Sequence, residues 1–253
     1  MNPVVVRNVK IGEGIPKICV PIVGISGEDI LSEGRKARDA GADMAEWRAD
    51  WYEDALEPGK TEETLGKLRK ILGDIPLLFT FRTLKEGGEK EIGSRAYAEL
   101  NKRAAMTGNV DLIDVELSAD SSAFGEILQA AHGCGVKVIA SNHDFHKTPS
   151  KEDMIERLCR MQDLGADILK IAVMPQDKKD VLTLLSATLE MRSEHADRPV
   201  VTMSMSGTGV ISRMCGEVFG SAITFGSAGK SSAPGQMEAA DLKKALLLLH
   251  KAL

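Results

Sequence analysis

Cysteine, aromatic residues and long apolar runs are all scarce in this chain of 253 residues. The four cysteines, Cys19, Cys134, Cys159 and Cys215, are scattered with no CxxC pair. Nothing in that spacing suggests a disulfide framework or a zinc site, and reduced thiols fit a cytoplasmic protein. The start of the chain has too short an apolar run for a signal peptide. The longest apolar stretch near the end, residues 245–249, is far short of a membrane span. The net charge is −5 with both signs interspersed and no basic stripe, so nucleic acid is not an expected partner. No G-x-G-x-x-G follows the first apolar run and no P-loop occurs, which weakens a doubly wound open sheet as the fold.

What the sequence does have is alternation. Short apolar runs at 18–24, 43–48, 76–82, 111–117, 136–142, 167–173, 199–205 and 222–227 read as eight strands. Between them lie charged, helix-like segments such as 28–40, 94–107, 151–164 and 177–194. Gly41, Gly108 and Gly165 each close a helical segment just before a strand, the expected cap chemistry. Eight such units in this length predict an α/β fold, a (β/α)8 barrel spanning residues 1–253 as a single domain. A short hairpin around Arg7-Asn8-Val9 is expected to close the bottom of the barrel.

Lys170 is the anomaly. It lies in Asp167-Ile168-Leu169-Lys170-Ile171-Ala172-Val173, a run that otherwise reads as a buried strand. An ammonium is costly to bury, and its neutral form is a nucleophile toward carbonyl carbon. Strand side chains alternate faces. With Lys170 and Ala172 taken as inward, the same parity gathers Glu46 with Arg48, Thr80 with Arg82, Asp114 with Glu116, Ser141 with His143, and Met203 with Met205. The intervening residues, Ala45, Trp47, Phe79, Phe81, Ile113 and Val115, are apolar. Each polar residue alone has a plainer explanation: a snorkelling lysine, a structural histidine, an ion pair at the barrel mouth. Together they would place several separate burial costs on one face, toward the C-terminal strand ends where barrel enzymes carry their chemistry. The methionines read as pocket or core lining.

Two loops add to the set. Lys85-Glu86-Gly87-Gly88-Glu89 follows the third strand, and Ser231-Ser232-Ala233-Pro234-Gly235-Gln236 follows the eighth. The second has the small, polar composition of a lid, although an ordinary surface loop reads the same way. Arg213 is either a solvated helix residue or a clamp for a carboxylate. His143 and His146 around Asp144 carry no recognised metal-ligand spacing, and no metal is expected there.

The stretches Glu46-Trp47-Arg48, Phe79-Thr80-Phe81-Arg82, Glu86-Gly87-Gly88-Glu89, Ser141-Asn142-His143-Asp144-Phe145, Lys170-Ile171-Ala172, Met203-Ser204-Met205, Gly209-Val210-Ile211-Ser212-Arg213 and Ser232-Ala233-Pro234-Gly235-Gln236 run in order along the chain. In this the chain resembles the type I 3-dehydroquinate dehydratases. The resemblance implies dehydration of 3-dehydroquinate to 3-dehydroshikimate, a step of the shikimate pathway, through a Schiff base and without a cofactor. It implies that Lys170 forms the imine, His143 moves protons and Glu86 orients His143. It places Arg213 on the substrate carboxylate and Glu46, Arg48 and Arg82 on ring hydroxyls. Ser232 and Gln236 would close over the substrate, with Met203, Met205, Phe145, Phe225 and Ala233 lining the pocket. It also implies a cytoplasmic homodimer. One departure is Leu169, where the family pattern has proline before the lysine; its outward parity leaves the chemistry intact. Two alternatives remain: a class I aldolase-type barrel using the same lysine, and a barrel that binds a small carboxylate without turnover.

Overall fold

The computed structural model describes residues 2–253. It opens with an antiparallel hairpin, β1 (Val4–Val6) and β2 (Val9–Ile11), with Val6 opposite Val9. Eight parallel strands follow: β3 (Lys17–Ile22), β4 (Met44–Arg48), β5 (Leu77–Thr80), β6 (Leu112–Glu116), β7 (Lys137–Asp144), β8 (Ile168–Val173), β9 (Val200–Ser204) and β10 (Ile223–Ser227). They pair in sequence order from β3 to β9, and β10 pairs with β3. Between β9 and β10 the sheet closes through the Val200–Ser221 bridge, where Ala222 N–H donates to the Val200 carbonyl at 2.8 Å. A two-residue strand, β11 (Met237–Glu238), adds to β10.

The helices are α1 (Gly27–Asp39), α2 (Lys60–Leu72), α3 (Ser94–Met106), α4 (Ser121–Gly133), α5 (Lys151–Asp163), α6 (Lys178–Glu190), the short α7 (Ile211–Met214) and α8 (Gly216–Phe219), and α9 (Ala239–His250). Their starts follow from local chemistry. Ser26 and Asp29 form a capping box at α1, while Asp120, Ser150 and Asp177 accept backbone N–H groups at α4, α5 and α6. Met154, Leu158 and Met161 bury one stripe of α5, as i, i+4, i+7 spacing dictates. The last helix before β9 is not uniform: α6 ends at Glu190 and passes into a π-helical turn, Met191–His195.

Parity holds throughout the barrel. The outward residues Trp47, Phe79, Phe81, Ile113, Val115, Leu169 and Ile171 belong to the core shared with the helices. Inside, Cys19, Met44, Leu78, Leu112, Ile139, Ile168, Val201 and Ile223 form an apolar floor, with Val6 and Ile11 of the hairpin packed beneath it. Above that floor the interior turns polar. The expected bottom-closing hairpin is therefore present, and its two buried side chains contribute about 1.5–3 kcal/mol each.

Candidate active site

The layer above the apolar floor centres on Lys170. Its Nζ lies 3.2 Å from Asp114 Oδ2, 3.8 Å from Glu46 Oε1 and 4.7 Å from the centre of the Phe225 ring. Lys170 is only 4% exposed, so this is an amine enclosed by protein rather than one with its head in water. Thr80 Oγ1 donates to Glu46 at 2.9 Å and Ser141 Oγ to Asp114 at 2.5 Å. Burial favours the acid form of Asp114, but Arg82, Lys170 and the Ser141 hydroxyl outweigh it and hold the carboxyl well below its usual range.

Arg82 is locked in place. It lies just past the end of β5, and its guanidinium meets Asp114 and Glu116 at 2.9 Å each and Ser141 Oγ at 3.0 Å. Burial works against its charge, but the carboxylates of Asp114, Glu116 and Glu86 outweigh it and raise the guanidinium well above its usual value. Arg48 is held as firmly. Its Nε and Nη2 each donate to Asp50 at 2.8 Å, a bidentate fork in a buried site. Asp50 also accepts the backbone N–H groups of Arg82 and Glu89, both at 3.2 Å, so it ties the third strand's loop to the second strand.

That loop carries Glu86 in a short 3-10 turn, Leu84–Glu86, ended by Gly87 at φ 81°. A side chain on Gly87 would run into the Phe145 ring, so glycine serves there both for its backbone angle and for its lack of bulk. Glu86 Oε2 accepts the His143 backbone N–H and its ring Nδ1, each at 2.9 Å. With Nδ1–H donating to a carboxylate, the other ring nitrogen is free for proton transfer. His143 pairs with Ala172 across β7 and β8, while Ser141 pairs with Lys170. The histidine therefore stands one layer above the lysine, about 7 Å further along the strand direction. Burial, then the charges of Arg82 and Lys170, push the imidazole well below its ordinary range, so it is a neutral base near neutral pH. Burial raises the Glu86 carboxyl, against the opposing pull of Arg82 and the Ser118 hydroxyl.

The mouth is covered by the loop after β10. Gln236 Nε2 donates to Ser232 Oγ at 3.0 Å, and Gln236 Oε1 accepts from Ser232 N at 3.0 Å. Lys230, before this loop, lies over the Trp51 ring at 4.6 Å. Glu46, Arg48, Arg82, Glu86, His143, Phe145, Lys170, Met203, Met205, Phe225, Ser232, Ala233 and Gln236 all line one cavity, together with Ala172. Arg213 lies beside it rather than on its wall. Its guanidinium is 1% exposed, reaches Met203 Sδ at 3.9 Å and donates to the Pro234 carbonyl at 3.0 Å. It pairs with no carboxylate among the described residues, its Nε has no hydrogen-bond partner, and burial lowers it to about 10.

Four contributors escape the strand-parity argument: Asp50, Ser118, Asn142 and Arg157. Asp50 lies in the 3-10 turn Ala49–Trp51, past the strand, where alternation no longer applies. Ser118 Oγ donates to Glu86 Oε1 at 2.6 Å from just beyond β6. Asn142 reaches the same oxygen at 3.4 Å and is itself held by Arg157 at 2.8 Å. The Trp-Arg-Ala-Asp stretch across the end of β4 carries the one sequence signal: an acid two places after a barrel-mouth arginine.

A family model described as Type I 3-dehydroquinase matches residues 18–252. The chain belongs to that family. It is 56% identical over 248 residues to the 3-dehydroquinate dehydratase of Clostridioides difficile (strain 630), covering 98% of this chain and 97% of that one. The enzyme of the same name from Listeria welshimeri is 53% identical over 251 residues, with 99% of both chains covered. A crystal structure of the type I 3-dehydroquinate dehydratase from Clostridium difficile with covalent modified comenic acid superposes with a TM-score of 0.97, covering 100% of both chains at 56% identity. The Enterococcus faecalis 3-dehydroquinate dehydratase gives 0.92 at 45% identity, over 97% of this chain and 99% of the other. Both solved relatives superpose on the barrel described above, so the lysine, histidine and glutamate here occupy a type I dehydroquinase scaffold.

Proposed function

We propose that this protein dehydrates 3-dehydroquinate to 3-dehydroshikimate through a Schiff base on Lys170. The single observation that carries the chemistry is an enclosed lysine one layer below a neutral histidine whose Nδ1 is committed to a carboxylate. Lys170, once deprotonated, adds to the ketone carbon, and the resulting carbinolamine loses water to give an iminium. The iminium draws electron density from the neighbouring C–H, and His143 removes that proton to give an enamine. The electron pair then expels the β-hydroxyl, which takes the proton back from His143 and leaves as water. Addition of water to the conjugated iminium releases the product and restores the amine. One water is lost and regained at the imine, so the net change is the loss of one water from the substrate.

The other residues take roles that fit their surroundings. Arg213, a buried guanidinium without a carboxylate of its own, suits the substrate carboxylate, with the neighbouring Met203 and Pro234 giving way on binding. Glu46 and Arg48 border the cavity and suit ring hydroxyls. Arg82, fully engaged by Asp114 and Glu116, acts mainly as a fixed positive charge beneath the site. Ser232, Ala233 and Gln236 border the cavity, so movement of the 231–236 loop suits the entry of substrate and the exclusion of water.

The site draws on residues from Glu46 to Gln236, which supports one functional domain. No helix among the described residues is long and apolar enough to cross a membrane, and four free thiols favour a cytoplasmic setting. Exposed Leu247, Leu248 and Leu249 on α9 support a homodimer, which light scattering checks. The decisive assay follows ultraviolet absorbance on mixing with 3-dehydroquinate. A conjugated enone appears if the chain is a dehydratase. Aldol cleavage or simple binding yields none, and that result would overturn the assignment.

A further inference from the structure

Glu86 has two carboxylate oxygens, and His143 uses only one. Both hydrogen bonds from His143 fall on Oε2, while Ser118 Oγ donates to Oε1 at 2.6 Å. Asn142 Nδ2 adds a longer contact to Oε1 at 3.4 Å. Ser118 is not on the active-site wall. It lines a separate hollow with Thr83, Leu84, Lys85 and Tyr97. A buried carboxyl tends to take a proton, and a proton on Oε1 would convert Glu86 from a pure acceptor into a donor. It would also leave the carboxyl free to turn. The charged and titratable groups facing Glu86 are Arg82 at 3.8 Å, the His143 ring, and the carboxylates of Asp114 and Glu116. Arg82 hydrogen-bonds Asp114 and Glu116 and acts on Glu86 by charge alone, from the Oε2 side, so Oε1 depends on Ser118 for a short hydrogen bond.

We infer that Ser118 is a positioning residue for the proton-transfer step: its hydroxyl caps Oε1 of Glu86 and thereby commits Oε2 to the His143 ring. This rests on the dehydratase chemistry proposed above. Ser118 acts through Glu86 and touches no reacting atom. The side chain is exposed, so its removal disturbs little packing.

The experiment compares the full-length wild type with Ser118→Ala and Ser118→Thr, using 3-dehydroquinate from about pH 5 to pH 9. Alanine is expected to lower kcat about tenfold, the scale of one hydrogen bond to a charged group. KM should stay within about twofold, because substrate contacts are untouched. The acid limb of the kcat/KM profile should move to higher pH, since Glu86 then protonates more readily. Threonine, which keeps the hydroxyl, should restore both kcat and the limb. A second readout needs no turnover: the Nδ1 proton resonance of His143 in the free enzyme, which in the alanine variant should be lost at a higher pH than in the wild type. Unchanged kcat and acid limb in Ser118→Ala overturns the inference, as does a threonine variant as impaired as alanine, or an effect on KM alone. If the alanine variant folds poorly, threonine rescue and the resonance of the folded fraction decide in the same way. A wild type without dehydratase activity but with a Ser118-dependent resonance would instead count against the proposed function.

Discussion

His143 gives both its backbone N–H and its ring Nδ1 to a single oxygen, Glu86 Oε2, at 2.9 Å each. Two donors from one residue fix both the position and the rotation of the imidazole. The ring therefore enters the reaction already aimed, with no tautomer choice left to make.

Its depressed pKa sets a pH dependence. A base must be neutral, and burial with Arg82 and Lys170 holds His143 well below the usual imidazole value of about 6.5. Activity should therefore persist as pH falls through that value and fade only at lower pH, with the limb belonging to the His143–Glu86 pair. The same shift has a stability sign. Between the lowered folded value and the unfolded value of about 6.5, the unfolded chain binds the extra proton, so stability falls as pH drops. Denaturant titrations of wild type and His143→Phe at neutral and mildly acid pH check this; the wild type should lose more.

Lys170→Ala should abolish turnover. In the wild type, borohydride with substrate should leave a mass adduct on Lys170, and the variant should show none. Intact activity without any trapped adduct would remove the imine from the mechanism.

Arg213 and Arg82 should behave differently although both are buried guanidinium groups. Arg213 holds no carboxylate of the protein, so Arg213→Ala should raise KM by about 10- to 100-fold, and its stability loss should come from the vacated volume and the Pro234 carbonyl rather than from a stranded charge. Arg82→Ala strands Glu116 without its cation and leaves Asp114 with Lys170 alone, and should cost about 3–5 kcal/mol of folding stability. Thermal melts beside steady-state kinetics separate the two.

Gly87→Ala should damage the site from a distance. The new methyl group meets the Phe145 ring and requires a left-handed backbone angle, at a cost of about 1–3 kcal/mol. Because Glu86 is the preceding residue, kcat should fall more than KM rises. A variant with normal kcat would show that the turn relaxes without moving Glu86.

Much of this was legible in the sequence because strands impose a strict two-residue rule. Parity from Lys170 alone reached Glu46, Asp114, Ser141 and His143, all of which face the barrel interior. The eight strands follow from the recurring apolar runs, and α2 and α4 fill the intervals between them with the same glycine junctions, Gly73 and Gly135. The rule ends where strands end. Asp50 and Ser118 lie in the turns just beyond β4 and β6, and their direction is set by loop geometry that no periodicity encodes. Arg82 lines the cavity as its parity suggests, but the carboxylates that engage it come from a neighbouring strand, 32 and 34 residues away, and that pairing is visible only in the folded register. The π-helical turn at Met191–His195 likewise interrupts what reads as one helix through residue 194.

Val6 and Ile11 make the barrel a cup rather than a tube. With its base stoppered, the interior exchanges with solvent only at the rim. The water lost in imine formation, the water that later cleaves the imine, and the hydroxyl leaving the substrate all share that single mouth with substrate and product. The loop carrying Ser232 and Gln236 borders that mouth, so whatever moves it touches every one of these exchanges at once.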